Sequence, residues 1–183
     1  MKRLFPLALI LFIAACRKAP APAPAASAPA SGANPPLIAY VEPSGNYRCN
    51  VPPDWRMLED EASGEDVMFF GPGRVSISIG KYPDASGRIK NPQDYWSAAK
   101  LSVDALSPLE KIELNGAPAF KMSFEAPVLA PNGKAVLYVR RQTAVLIPDR
   151  RGFFALEHRA PRETAHETMP VFEAMAASFL PER

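Results

Sequence analysis

Apolar and polar residues alternate along several short stretches of the chain, a pattern typical of β-strands with one covered face. The clearest stretch runs from Arg74 to Tyr82, where valine and isoleucine alternate with serine and glycine. Shorter β-rich runs cover Tyr47 to Val51 and Val67 to Phe70. Further strands are predicted over residues 109–114, 117–125, 135–147 and 153–159. Asn115-Gly116 predicts a tight hairpin turn, since this pair readily adopts positive φ angles.

A first helix is predicted from Asn91 as N-cap, with Pro92 at the first helical position, to a point before Pro108. Its apolar residues fall on one helical face, so the helix is expected to lie on a sheet. That face consists of Tyr95, Ala99, Val103 and Leu106.

A second helix is predicted near the end of the chain, at about residues 167–179. Its apolar stripe consists of Val171, Phe172, Met175 and Phe179. Thr164 and Glu167 could form a capping box, but a start there would put Pro170 inside the helix. A start near Glu167 leaves Pro170 in the first turn. Strands, helix, strands and a final helix indicate an α+β fold with a central antiparallel β-sheet flanked by helices.

The first residues have the form of an export signal. Lys2 and Arg3 precede an apolar run of 12 residues at positions 4–15, which is too short to span a bilayer comfortably. The run ends in Ile13-Ala14-Ala15-Cys16 and resembles the lipobox of bacterial lipoproteins. The resemblance implies removal of residues 1–15 and acylation of Cys16, which would anchor the protein in a membrane. The alternative is an ordinary signal peptide with a chance cysteine.

Residues 16–36 are expected to form a lipidated linker, and residues 37–183 a single domain. Positions 17–36 contain six Pro and eight Ala, a composition that cannot build a core. Such a segment favours polyproline II, with a reach of at most about 60 Å. Arg17 stands where an Asp would favour retention in the inner membrane of enterobacteria, so the outer membrane is preferred.

The charge of the folding part differs from that of the whole chain, which carries +2. Four of the 21 basic residues precede residue 37, and all 19 acidic residues follow it. The domain therefore contains 17 basic and 19 acidic residues and carries a net charge of −2. A slightly acidic exported domain gives little support for a nucleic-acid role. After acylation of Cys16, Cys49 is the only thiol; its place in a strand favours a buried, inert group over pairing between molecules.

Four segments together resemble the PsbP/Mog1-like fold. They are Tyr47 to Trp55, the Gly-Ala-Pro-Ala-Phe stretch at 116–120, the Gly-Phe-Phe-Ala-Leu stretch at 152–156, and the closing Ala177-Ser178-Phe179. The resemblance covers about residues 45–181. It implies a central antiparallel sheet between helices and a mostly non-catalytic group of proteins, with no catalytic set to carry over.

The sequence contains no recognisable catalytic or metal motif, so no catalytic residue, metal or cofactor is predicted. His158 and His166 match no zinc spacing and are expected to be polar surface residues. Gly71-Pro72-Gly73 lacks the lysine of a phosphate loop and indicates a turn. The aromatic residues that could line a ligand cage are expected to pack instead; they are Trp55, Tyr95 and Trp96.

Arginines crowd one predicted hairpin and its exit. The candidate binding residues are Arg140, Arg141, Arg159 and Arg162. Adjacent strands would bring Arg140 or Arg141 nearly opposite Arg159, which destabilises a sheet unless acids or a ligand neutralise the charge. The alternative is a solvated hairpin end balanced by Glu125, Glu157 and Glu163.

Two functions are compatible with these observations. The first is a non-catalytic, periplasm-facing envelope lipoprotein, anchored at Cys16, that acts as a binding or accessory module for another envelope component, with a protein as the expected partner. The second is a carrier or sensor of a small apolar or anionic ligand held between sheet and helix.

Overall fold

A computed structural model describes residues 36–59, 66–83, 87–103 and 105–182. The predictions for the signal peptide, for Cys16 and for the linker up to residue 35 lie outside these residues. No helix in the part of the chain that the structure describes is both long enough and apolar enough to cross a membrane.

Ten strands and two helices follow one another along the described chain. The strands are β1 Ile38–Val41, β2 Tyr47–Val51, β3 Arg56–Glu59, β4 Asp66–Phe70, β5 Ser76–Pro83, β6 Glu110–Leu114, β7 Ala117–Leu129, β8 Val136–Asp149, β9 Gly152–Pro161 and β10 Leu180–Pro181. Helix α1 spans Pro92–Lys100 and helix α2 spans Ala165–Ser178, and a short 3₁₀ turn covers Pro72–Arg74.

Seven strands form the central sheet, in the order β3-β4-β5-β9-β8-β7-β6, and every neighbouring pair is antiparallel. A smaller sheet has the order β1-β2-β10. The observed architecture confirms the predicted α+β class with its central antiparallel sheet.

Helix α2 and the smaller sheet cover one face of the central sheet, here called the α2 face. Buried residues of β4, β5, β8 and β9 meet Phe172 and Met175 of α2 and Tyr47 and Cys49 of β2 there. Phe179 stacks on Tyr47, with ring centroids 5.1 Å apart. This apolar cluster is the larger of the two main clusters in the described domain.

Helix α1 covers the opposite face of the central sheet, here called the α1 face. Asn91 caps the helix as predicted, since its side chain accepts a hydrogen bond from the Asp94 backbone N–H at 2.9 Å. Tyr95, Trp96 and Ala99 pack against buried residues such as Leu146 and Phe153. Both faces of the central strands are therefore covered, which explains why β9 is buried almost continuously.

The first helix ends earlier than predicted, at Lys100. The Ser102 N–H bonds to the Ala99 carbonyl at 2.9 Å, which tightens and ends the last turn. The chain then runs to the sheet edge, where Leu106 bridges to Phe124 of β7.

The second helix begins at Ala165, two residues before the predicted start. Pro170 consequently lies inside the helix and not in its first turn, and the Thr164 side chain makes no capping hydrogen bond. Burial of Ala165, Phe172, Met175 and Ala176 supports this start, because packing outweighs one missing backbone hydrogen bond.

Candidate functional site

The strand register separates the four candidate arginines between the two faces of the sheet. Arg159 lies opposite Gln142, Arg141 opposite Ala160 and Arg140 opposite Pro161. Because side chains alternate along a strand, Arg140 and Arg159 belong to the α1 face and Arg141 to the α2 face. Arg140 therefore lies on the same face as Arg159 and two register positions away, while Gln142 lies directly opposite Arg159.

Acidic side chains neutralise two of these arginines. Arg159 pairs with Glu157, a residue that also accepts hydrogen bonds from the Tyr95 hydroxyl and, at 3.0 Å, from Gln142 Nε2. Arg162 lies on the surface, 3.4 Å from Glu125 and 3.6 Å from Glu163. Glu125, Glu157 and Glu163 therefore all form ion pairs with arginines at this hairpin end. The Glu157 network lies beneath α1 and holds the helix on the sheet.

Arg140 and Arg141 make no ion pair with the residues that the structure describes. The Nε atom of Arg140 is buried and has no hydrogen-bond partner there, whereas Arg141 is exposed. These two cations stand at the base of a β-ribbon that projects from the sheet.

This ribbon is residues 127–138, called the arm below. The last register partner of β9 is Arg140, opposite Pro161, while β7 and β8 continue to pair with each other beyond that point. The Val139 carbonyl still accepts a hydrogen bond from the Arg162 N–H at 2.8 Å. Beyond Val139, three apolar residues at the tip of the arm are at least half exposed: Leu129 (50%), Val136 (58%) and Leu137 (56%). Strand β7 extends four residues beyond its predicted end, to Leu129, and the arm presents an apolar end.

His158 is completely buried in β9, so the prediction of a surface histidine is wrong for it; His166 is exposed on α2. The Nε2 atom of His158 lies 2.8 Å from the Thr168 hydroxyl, and the His158 ring packs on Phe172. Burial, assisted by the charge of Arg141, lowers the pKa of His158 to about 4. The imidazole is therefore neutral at pH 7. Among the described residues no cluster of three potential metal ligands occurs.

Cys49 lies inside the α2-face core and is 3% exposed. Burial raises the pKa of its thiol to about 12, so the reactive thiolate is rare. This placement confirms the buried cysteine that the sequence favoured.

An open groove of about 570 Å³ lies beside Trp55. Its walls are Pro36, Pro52, Pro53, Asp54, Trp55, Arg56, Phe70, Gly71, Pro72 and Val171. The Trp55 ring lies so close to Gly71 that a Cβ atom there would be 2.5 Å from the ring carbon Cζ2. Position 71 in the wall of the groove therefore requires a glycine. We call this feature the Trp55 groove.

A small cavity lies on the α1 face of the sheet. The cavity lined by Ser78, Tyr82, Ala155 and Glu157 measures about 20 Å³, which is room for one water molecule. Tyr95 and Trp96 fill the layer as packing residues, as the sequence predicted.

Sequence reasoning missed the Trp55 groove and the tip of the arm. The prolines at positions 36, 52, 53 and 72 indicate turns individually, but only the fold brings them together. The sequence pattern places Val136 and Leu137 in a strand and Leu129 in the loop before it. Their lack of covering neighbours depends on where β9 ends, which the pattern does not show.

Comparisons with known proteins identify the fold. No family model and no curated protein matches the chain. Among solved structures, cyanobacterial PsbP (CyanoP) from Synechocystis is 18% identical with a TM-score of 0.52, and the match covers 87% of this chain and 100% of that one. The yeast Ran-binding protein Mog1p is 13% identical with a TM-score of 0.52, over 80% of this chain and 95% of that one.

A crystal structure from Bacteroides thetaiotaomicron gives the same TM-score of 0.52 at 12% identity; the match covers 79% of this chain and 48% of that one. This chain therefore spans about half the length of that protein. At such identities the likeness shows the fold alone. The fold is PsbP/Mog1-like, which confirms the resemblance drawn from the four sequence segments.

Proposed function

We propose that the protein is a non-catalytic envelope lipoprotein, anchored through Cys16 and facing the periplasm, that binds another envelope protein. One observation carries the proposal: the Trp55 groove is an open apolar surface on the described domain, walled by tryptophan, phenylalanine and proline. Tryptophan is strongly enriched among the residues that dominate binding energy at protein interfaces. The Ran-binding activity named for Mog1p is a precedent for a fold of this shape serving as a binding module.

The walls of the groove define the chemistry of the partner segment. Proline has no backbone N–H, so the walls formed by Pro36, Pro52, Pro53 and Pro72 cannot donate the hydrogen bonds that would add a β-strand. An extended, proline-containing apolar segment needs no such donors, because its backbone remains solvated in polyproline II. We therefore assign the groove to a segment of that kind in the partner.

Crosslinking in intact cells followed by purification of the protein tests the partner site. Pro53→Arg should place a charge on the exposed groove wall and abolish recovery of the partner, whereas Pro118→Arg should not. Pro118 is a matched control because it is also exposed but lies in β7, opposite Glu113. A dominant partner recovered equally with both variants would contradict the groove assignment, and no partner with the unaltered protein would contradict the binding function.

The anchor is tested separately. Cys16→Ser should prevent acylation and, because acylation precedes cleavage at a lipobox, leave residues 1–15 attached. Mass spectrometry of the N-terminal peptide measures both changes, and fractionation locates the acylated protein. We expect the acylated protein in the outer membrane. An unmodified Cys16 in the mature protein would refute the anchor without affecting the test of the groove.

The carrier hypothesis is the second candidate. The described cavity beside Glu157 on the α1 face measures about 20 Å³, whereas a ligand needs hundreds of Å³, so a carrier would hold its ligand elsewhere on the domain.

A further inference from the structure

We propose that the arm inserts its apolar tip into an anionic lipid surface, so that the domain itself contacts the membrane at this end. The inference depends neither on acylation of Cys16 nor on the partner of the Trp55 groove.

The tip has the composition of a shallow membrane contact. Leu129 and Val136 are cross-strand partners, and Leu137 follows directly; all three are at least half exposed. The connecting loop 131–135 is exposed as well and contains a single charge, that of Lys134. An aliphatic tip with no acidic residue can leave water at little electrostatic cost.

Cations that form no ion pair with the described residues surround the arm, although Glu125 of β7 lies opposite Arg141. Lys134 lies in its loop, Arg140 and Arg141 lie at its base, and the Arg74 guanidinium lies 5.3 Å from the centre of the Tyr138 ring. None of these four forms an ion pair with the described residues, in contrast to Arg162 with its two glutamates. On a domain of net charge −2, this end is locally positive and complements an anionic surface.

The spacing along β8 matches the depth of a membrane interface. Leu137 precedes Arg140 and Arg141 by three and four residues, which is about 10–13 Å at roughly 3.3 Å per residue. An apolar element at an interface is buried about 5–10 Å below the headgroup boundary. When the tip is at that depth, the arginines lie at the level of the lipid phosphates, where guanidinium groups bind well.

The first described residue, Pro36, lies near the arm. Pro36 and Pro72 line the Trp55 groove together, and Arg74, two residues after Pro72, contacts Tyr138 of the arm.

A fluorescent label on the arm tests insertion. In the full chain with Cys16→Ser, Cys49 is the only native thiol and is buried, so Leu137→Cys provides one labelling site. Leu58→Cys is the matched control, since Leu58 is 55% exposed but lies on β3, at the other edge of the central sheet. With phosphatidylglycerol/phosphatidylcholine vesicles, we expect a blue shift and quenching by brominated lipid at position 137 only.

Charge removal provides the second measurement. Arg140→Gln with Arg141→Gln should weaken binding to these vesicles about 30-fold, since each cation near an anionic surface contributes about 1 kcal/mol. Arg150→Gln with Arg151→Gln, an exposed arginine pair beyond the other end of β8, should change binding little. Equal effects of the two pairs would overturn the proposal.

A comparison of pure lipid vesicles with native membranes separates this inference from the proposed function. A label at position 137 that remains in water with every vesicle overturns the arm proposal. Protection only in native membranes that contain protein also overturns it, and identifies the arm as a protein-binding surface. Neither result bears on the Trp55 groove, which the Pro53→Arg and Pro118→Arg comparison tests alone.

Discussion

His158 couples the stability of the domain to pH. Burial lowers its folded pKa to about 4, while an unfolded histidine titrates near 6.5. The unfolded chain therefore binds more protons between these values, and stability should decrease as the pH falls from about 6.5 to about 4. Urea unfolding at pH 7 and pH 5 should show this loss.

The matched variant for that measurement is His158→Gln, which retains a polar group within reach of Thr168 but cannot titrate. Its unfolding free energy should change less between pH 7 and pH 5 than that of the unaltered protein. Identical pH dependence of the two proteins would mean that carboxylates, and not His158, control the acid response.

Gly71 is the most demanding single position in the Trp55 groove. In Gly71→Ala the added methyl group would meet the Trp55 ring at about 2.5 Å, so the ring must move. We expect a loss of about 1–3 kcal/mol in unfolding free energy, typical of overpacking. Tryptophan emission in a Trp96→Phe background should shift as well. Pro118→Ala, at an exposed proline of β7 outside the groove, should leave the Trp55 emission unchanged.

Sequence reasoning identified the arginines but could not assign them to faces. Arg140 and Arg141 are adjacent, so their faces depend on the register between β8 and β9, and a shift of one residue would exchange them. His158 was misjudged for a related reason. In a strand covered on both sides, a polar residue has no solvent face to occupy.

At the scale of the element, Pro170 lowers the stability of α2 because it lies inside the helix. Pro170 has no N–H to bond the His166 carbonyl, and its ring crowds the preceding turn. Pro170→Ala should raise the unfolding free energy by about 1–3 kcal/mol. Glu173→Ala on the same helix should change it little, since its pair with Lys121 is largely exposed. An unchanged or lower stability for Pro170→Ala would show that the proline is accommodated without cost.

The elements with strong local signals were predicted, and those that depend on neighbours were not. Asn115 and Gly116 have φ angles of 52° and 74° and form the expected hairpin turn. In contrast, β1, β3 and β10 are short strands without clear alternation, and each is held by pairing with a partner strand. Their existence depends on tertiary pairing, so the local pattern did not reveal them.

At the scale of the whole molecule, the two helical layers should differ in local stability. No residue of α1 is fully buried, whereas four residues of α2 are. Helix α1 should therefore open more easily than the α2 face, because less apolar area is exposed when it detaches. Hydrogen exchange should be faster for residues 95–100 than for residues 171–178. Equal protection would indicate that the Glu157 network locks α1 as firmly as the larger core holds α2.

The position of β1 has a mechanical consequence for a protein held by its N-terminus. Any pulling force on that end enters the domain through β1, which is joined to β2 by a ladder from Ile38–Val51 to Val41–Arg48. Only Tyr40 of β1 is even half buried, so β1 can detach while most of the core stays intact. Under load, β1 would then detach from β2 first and lengthen the segment that joins the domain to its N-terminal attachment point before the domain unfolds.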